Sequence, residues 1–211
     1  MGPKVDDRVQ LGATAAAKTP RTARGERTLR KILDAAREEF GEHGFADSSI
    51  VGITQRAGVA LGTFYTYFES KEALFQALVH DMSAQVRDTV GPALGGGRDG
   101  LDSERRALAA FLKFAQDHRD IYRIIDESEF VDPAAYRAHY ETTADRIAAR
   151  LRNARDRGEI GSFSDEDLDV LAWGMMGANV FLGLRFAVWD NADSERIAEA
   201  MNRVWRKGLV A

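Results

Sequence analysis

The sequence predicts an all-α fold of about nine helices. From Leu29 onward, apolar residues recur at i, i+3, i+4 and i+7 in one segment after another. Gly, Pro, Ser and Asp fall between those segments, where helices start and stop. No stretch alternates polar and apolar residues as a half-buried strand would.

Residues 1–24 mix Gly, Ala, Thr, Pro and basic residues without apolar periodicity and are expected to form a disordered basic extension. Leu29, Leu33, Ala36 and Phe40, widened by Ile32 and Ala35, make the stripe of a first amphipathic helix that Gly41 to Gly44 closes. Ser48 or Ser49 can cap a short second helix ending at Ala57, where Gly58 supplies the stop. A third short helix covers about 60–68. Ser70 opens a fourth, with Glu69 and Glu72 near its positive end and Ala73, Leu74, Ala77, Leu78 and Met82 on its apolar face, running to about Val90. Gly91-Pro92 through Gly100 is expected to be a flexible connection. Helices then follow at about 102–117, 120–129, 133–157, 165–189 and 194–208, punctuated by Asp102, Asp132-Pro133, Gly158, Gly161, Ser164 and Asp193.

The segment Ala57–Leu74 carries the functional reading. Two short helices joined at Gly58, with Ile50, Ile53, Ala57, Val59 and Phe64 spaced to pack on each other and on the first helix, make a helix-turn-helix. Its second helix opens with Ala60, Leu61, Gly62 and Thr63, compact enough for close approach to a major groove. The hydroxyls of Ser48, Ser49, Thr63, Tyr65 and Tyr67 and the Lys71 ammonium can donate to phosphate oxygens, contacts that position a protein without specifying sequence. Leu61, Gly62 and Tyr65 are the candidates for base edges. With no Arg, Asn or Gln on this helix, readout falls to thymine methyls, a tyrosine hydroxyl and DNA shape. The formal net charge is -4, yet residues 1–31 carry eight Lys/Arg against three acids, a local balance of +5 that leaves -9 for the rest. A basic end on an acidic body suits a protein that meets phosphate at one end only.

Residues 28–78 resemble the N-terminal domain of the TetR family of transcriptional regulators. ILDAAREEFGEHGF is similar to the family's first helix, SSIVGITQRAGV to its second, and ALGTFYTYFESKEAL to its recognition helix and the start of its fourth. The resemblance implies a helix-turn-helix DNA-binding domain over 25–69, after the extension of 1–24, and a ligand-binding and dimerisation domain over 70–211. It implies DNA contact for Thr63, Tyr65, Tyr67 and Lys71. The chain departs from the family at Ala60, where Ser or Thr is usual and a side-chain cap typically contributes about 1 kcal/mol. Val51 and Gly52 replace commonly charged positions, and Gly within a helix costs about 1 kcal/mol against Ala.

The helix from Asp165 is apolar nearly all round. Leu168, Leu171, Ala172, Met175, Asn179, Leu182 and Phe186 fall on one seam and Trp173, Met176, Val180 and Leu184 on another, so two sides need cover. The resemblance implies a homodimer through a four-helix interface. Its candidates are Leu171, Met175, Leu182 and Phe186, with Ile197, Met201, Val204 and Trp205 from the last helix; burial within one subunit is the alternative. A two-fold protein reads double-stranded operator DNA as a near-palindrome, with half-sites about 34 Å or a multiple apart.

Phe111, Phe114, Tyr122, Ile125, Phe130, Tyr136 and Tyr140 make an aromatic-rich set on three successive helices. In TetR-like proteins the equivalent region encloses a small-molecule pocket, and these residues, with Trp173, Met176 and Asn179, are the candidate ligand-binding set; plain core is the alternative for each. Arg123, Asp126, His139 and Asn179 are candidate polar anchors. A mainly apolar pocket implies a small hydrophobic effector, with a fatty acid or acyl-CoA as the leading reading. Its binding would release a repressor from its operator by moving the helix from Ser70 as a lever.

The chain has no cysteine, hence no disulfide framework or thiolate chemistry, and a cytoplasmic location is expected. No apolar leader opens it, and the longest uncharged run, Val170–Leu184, has 15 residues against the roughly 20 that span a bilayer, so no membrane is expected. His43, His80, His118 and His139 are scattered without an HExxH pattern or a Gly-rich phosphate loop, and neither metal, cofactor nor enzymatic activity is expected. An enzyme acting on a lipid or CoA ester would need His118 and His139 to converge with Asp126 or Glu127. A DNA-independent helical interaction module is the other alternative, distinguished by the salt sensitivity of duplex binding.

Overall fold

Helices start where a side chain can satisfy the first free backbone amides, and this chain supplies such a side chain at most of its starts. The computed structural model describes residues 20–210. It comprises α1 (Ala23–Asp47), α2 (Ile50–Ala57), α3 (Leu61–Tyr67), α4 (Lys71–Leu94), α5 (Gly100–Asp117), α6 (Asp120–Val131), α7 (Pro133–Asp156), α8 (Asp165–Leu182, continued by a π-helical stretch Gly183–Trp189) and α9 (Ser194–Leu209). Among the described residues there is no strand. Thr22, Ser49, Ser70, Asp99, Asp132, Ser164 and Asp193 each accept a hydrogen bond from an amide of the helix that follows.

Two expectations about boundaries change. Of the expected extension, residues 1–19 lie outside the described residues, but Ala23 and Arg24 belong to α1, because Thr22 caps it by accepting from the Gly25 amide at 3.1 Å. Gly91 and Pro92 lie in the last turn of α4 rather than in a connection. A proline there forfeits one intrahelical bond, and the helix stops within three residues, where Gly95 N–H donates to the Pro92 carbonyl at 3.2 Å.

The helices enclose three packed regions. The first joins α1 to α3 with the starts of α4 and α6 around Phe40, Phe64, Phe68 and Phe75, all fully buried. The second lies between α7, α8 and the end of α9 around Leu151, Leu168 and Leu209. The third joins α5, the π-helical stretch and α9 around Leu112, Ala187 and Ile197. The helix Asp165–Trp189 is long and apolar enough, by length and composition, to cross a membrane. Here Leu168, Ala172, Met175 and Met176 are buried, and they belong to the region shared with α7.

The first helix is broken at a glycine near its end for a steric reason. Gly44 has φ 81°, a left-handed conformation that breaks the helix. A Cβ at Gly44 would stand 2.7 Å from the Glu127 carboxylate and 2.8 Å from the Arg123 guanidinium, both on α6. Gly44→Ala should therefore lower unfolding free energy by roughly 1–3 kcal/mol, read as a shift of the urea midpoint at unchanged slope. A midpoint equal to that of the parent would show that this turn does not need glycine.

Candidate nucleic-acid interface and internal cavity

α3 turns Phe64 into the core and leaves Leu61, Gly62, Tyr65 and Thr66 on the surface, Leu61 and Tyr65 at 46% and 50% exposure. Tyr65 packs edge-on against the Phe64 ring, with centroids 5.3 Å apart. Ala60 caps α3 with no side-chain hydrogen bond, as its sequence position implies, and no heavy atom lies within 4 Å of where a Cβ would project from Gly62. Ser49 stands exposed at the start of α2, beside Val51 on the same helix. The half-buried Tyr67 donates its hydroxyl proton to the Gly25 carbonyl at 3.2 Å. That bond sets the first turn of α1, with Arg24 and Arg27 exposed, against the C-terminal end of α3.

Besides Tyr67, two more of the expected phosphate contacts are engaged inside the fold. Ser48 is buried, and its hydroxyl lies 2.6 Å from the Gly44 carbonyl and 3.1 Å from that of Glu39. Lys71 donates from Nζ to the carbonyls of Phe45 at 2.6 Å and Ser48 at 2.8 Å, and lies 4.5 Å from the Phe45 ring centre. A cation among the carbonyls that end α1 is favoured by the helix dipole. Lys71 thus fastens α4 to the α1–α2 turn. Thr66, beside Tyr65 and exposed, is the surface hydroxyl that sequence reasoning passed over.

Gly52 has a local cause. A Cβ there would approach the Glu39 carboxylate to 2.5 Å, and Glu39 pairs with Arg56 at 3.2 Å. Arg56 also meets Glu38 at 3.3 Å and Glu42 at 2.7 Å, and its hydrogen bond holds the Glu42 carboxyl below the usual carboxylate range. Glycine at 52 therefore admits the side chains that hold α2 on α1.

Behind this unit a cavity of about 360 Å³ opens between α4, α5, α6, α7 and α8. Of the expected ligand-binding residues, Phe111, Tyr122, Ile125, Tyr140, Met176 and Asn179 line it, with Asp126 and His139 among the expected anchors. Phe114 instead belongs to the buried core and stacks near His118, with centroids 4.4 Å apart; Phe130 is 85% exposed at the end of α6. Tyr136 packs on Tyr140 without reaching the cavity, and Trp173 lies on the outer side of α8. The wall from α4 was missed: Val79, Ser83, Val86, Val90 and Leu94 line the cavity, on a different face from the stripe of Leu74, Leu78 and Met82.

Arg123 is not an anchor for a ligand. It donates to the carbonyls of Gly41 at 3.0 Å and Glu42 at 3.1 Å, while Glu127 accepts from the Phe45 amide at 2.7 Å. α6 thus holds the end of α1 through one face and lines the cavity through another. His118 Nδ1 faces Arg37 at 3.2 Å and His139 Nδ1 faces Ser83 at 2.8 Å, so the two imidazoles share no partner and make no joint site.

Most of the residues expected at a dimer seam face into their own subunit. Met175 and Ile197 are buried inside the subunit, and Leu171, Leu182, Phe186, Met201 and Trp205 are half-buried against its own core. Only Val204 of that set is exposed. The outward apolar line on α8 is Val170, Trp173, Gly174 and Phe181, continued by Trp189. A helix apolar on all sides carries no phase of its own, and packing on α7 sets it.

Residues 32–78 match the model of the bacterial regulatory proteins of the tetR family. An uncharacterized HTH-type transcriptional regulator of Bacillus subtilis (strain 168), YvdT, is 42% identical over 66% of this chain and 87% of its own length. The HTH-type transcriptional regulator UidR of Escherichia coli (strain K12) is 28% identical over 81% of this chain and 84% of its own. Among solved structures, a TetR-like regulator from Rhodococcus sp. RHA1 superposes with a TM-score of 0.70 at 22% identity, over 90% of this chain and 98% of that one. The fatty acid degradation regulator FadR from Bacillus halodurans gives 0.73 at 17% identity, over 89% and 95%. The fold and the helix-turn-helix over residues 32–78 are thus shared with transcriptional regulators, and the chain belongs to the TetR family of DNA-binding transcriptional regulators.

Proposed function

We propose that this regulator is a cytoplasmic repressor, bound as a homodimer to a near-palindromic operator and released when a small apolar molecule fills the cavity. The observation that carries this reading is the double duty of α6. Tyr122, Ile125 and Asp126 line the cavity, while Arg123 and Glu127 on the same helix grip the end of α1 at 3.1 Å or closer. A ligand that displaces α6 therefore acts directly on the helix-turn-helix. α4 offers a second route, since both carboxylate oxygens of Asp81 accept from Nη1 of Arg30 on α1, at 2.8 and 2.9 Å, and the cavity-lining Ser83 stands two residues on. The lever expected from α4 alone is thus better read as a pair of helices, with ligand and operator weakening each other's binding by the same factor.

The effector reading rests on the walls. Val79, Val86, Val90, Leu94, Ile147 and Met176 suit an alkyl or acyl chain, which keeps a fatty acid or acyl-CoA body within the reading. Two structural neighbours are described as regulators of fatty acid metabolism or degradation and another as a gamma-butyrolactone receptor, at 16%, 17% and 21% identity. For DNA, the exposed Leu61, Gly62, Tyr65 and Thr66 are the proposed groove contacts, with Ala60 and Thr63 alongside and Ser49, Arg24 and Arg27 for phosphate. Tyr67 and Lys71 support that surface from behind it. For the dimer, Val170, Trp173, Phe181, Trp189 and Val204 are the proposed seam.

Two outcomes check these assignments. In selection from a random duplex pool, the parent should enrich a sequence with dyad symmetry. Tyr65→Ala should bind it at least about tenfold more weakly with an unchanged urea midpoint, whereas Lys71→Met should also lose roughly 1–3 kcal/mol of stability. A consensus without symmetry would refute the dimeric reading, and full affinity in Tyr65→Ala would refute the groove assignment. Second, Trp173→Asp with Phe181→Asp should sediment as a monomer and lose about a hundredfold in operator affinity, because linked half-site binding is gone. A dimer that survives both changes would place the interface elsewhere.

A further inference from the structure

The cavity's polar corner has a proton inventory that can be worked out from its distances. The Ser83 oxygen lies 2.9 Å from the Val79 carbonyl and 2.8 Å from His139 Nδ1. A serine has one proton, and a carbonyl can only accept, so Ser83 donates to Val79. The serine oxygen must then accept from His139, which puts the imidazole proton on Nδ1 and leaves Nε2 as a bare acceptor. Burial pushes His139 down to about 4, so the ring is neutral near pH 7 and keeps that lone pair.

Two of the neighbouring hydroxyls are already engaged as donors. Tyr122 donates to the Val180 carbonyl at 2.9 Å, and Thr143 to the His139 carbonyl at 2.9 Å. Asp126 adds a carboxyl group to the cavity lining with no hydrogen-bond partner among the described residues, and burial pushes it above the usual carboxylate range. The cations nearby are engaged or peripheral. Arg150 holds Glu104 in a bidentate pair, Arg87 meets Asp88 at 2.9 Å, and Arg146 is exposed. His139 Nε2 is an acceptor in this corner, so a ligand with a proton to give would find a partner waiting.

We propose that His139, oriented by Ser83, selects an apolar effector whose head is a hydroxyl group, donated to His139 Nε2. This rests on the reading of the cavity as the effector site and narrows its chemistry: the body is alkyl or acyl, and the head is an alcohol or phenol rather than a carboxylate or a thioester. Neither of those two carries a proton at neutral pH that could pair with Nε2.

The test uses the full chain and a matched series of decanol, decanoate, decylamine and decanoyl-CoA. By calorimetry, decanol should bind at least about tenfold tighter than decanoate or decanoyl-CoA. His139→Phe, which keeps a ring but removes the acceptor, should bring the series to within about twofold. Nitrogen NMR of the labelled parent protein reads the same point without a variant: Nδ1 should carry the proton, and adding decanol should shift Nε2 alone.

Decanoate or decanoyl-CoA binding as well as decanol would overturn the proposal, as would no decanol binding at all or a proton found on Nε2. Tighter binding of decylamine would move the anchor to Asp126 and equally overturn it. Release of operator is scored separately. Decanol that binds through His139 but leaves the operator complex intact upholds the anchor and refutes the effector reading of the cavity.

Discussion

The end of α1 is the constraint on which the other elements depend. Its last carbonyls have no partners within the helix, and a buried helix end without partners is costly. Three other segments supply them. Ser48 reaches back to Glu39 and Gly44, Lys71 comes from α4 to Phe45 and Ser48, and Arg123 comes from α6 to Gly41 and Glu42, with Glu127 taking the Phe45 amide. Gly44 makes room for this convergence. One helix terminus therefore fixes where the helix-turn-helix sits relative to α4 and α6, two of the helices that line the cavity.

Much of the fold was legible in the sequence because helix caps and stops are local. Ser49, Gly58, Ser70, Asp132, Ser164 and Asp193 punctuate the chain where their short-range chemistry says they should. The outward face of α3 was legible for the same reason: a short helix that buries Phe64 must turn Leu61 and Tyr65 outward. What failed were choices between equivalent local options. Ser48 and Ser49 are adjacent hydroxyls, and only the return of α1 decides that one is buried. Lys71 near a helix start reads equally as a phosphate contact or as a cap on another helix's carbonyls, and the second partner is more than twenty residues away.

The cavity was less legible still, since its wall and the core are built from the same residues at the same spacing. Val79, Val86 and Val90 on α4 and Ile147 on α7 would suit a solid interior as well as a hollow one. The phase of α8 was unreadable for a related reason, as both Met175 and Trp173 lie on apolar seams and only the fit against α7 separates them. Polar residues discriminate better. Asp126 and His139 stood out as chemistry without an evident core role, and both line the space.

That polar lining also bears on the outer face of the molecule. Tyr122 donates to the carbonyl of Val180, the residue before Phe181, which is 72% exposed on the apolar outer line of α8. Close by, Gly183 admits the Tyr122 hydroxyl and the Phe111 ring where any side chain would collide, and from Gly183 to Trp189 the helix adopts wider π-helical turns. A π-helical stretch shifts the register of every side chain beyond it, so the direction of Trp189 is set by the same local geometry that receives Tyr122. A molecule in the cavity thus touches two structures at once through α6: the terminus of α1 on one side and the outward seam of α8 on the other. If that seam joins two subunits, the distance between recognition helices depends on both contacts, and a single ligand has leverage on each subunit's hinge and on the angle between subunits.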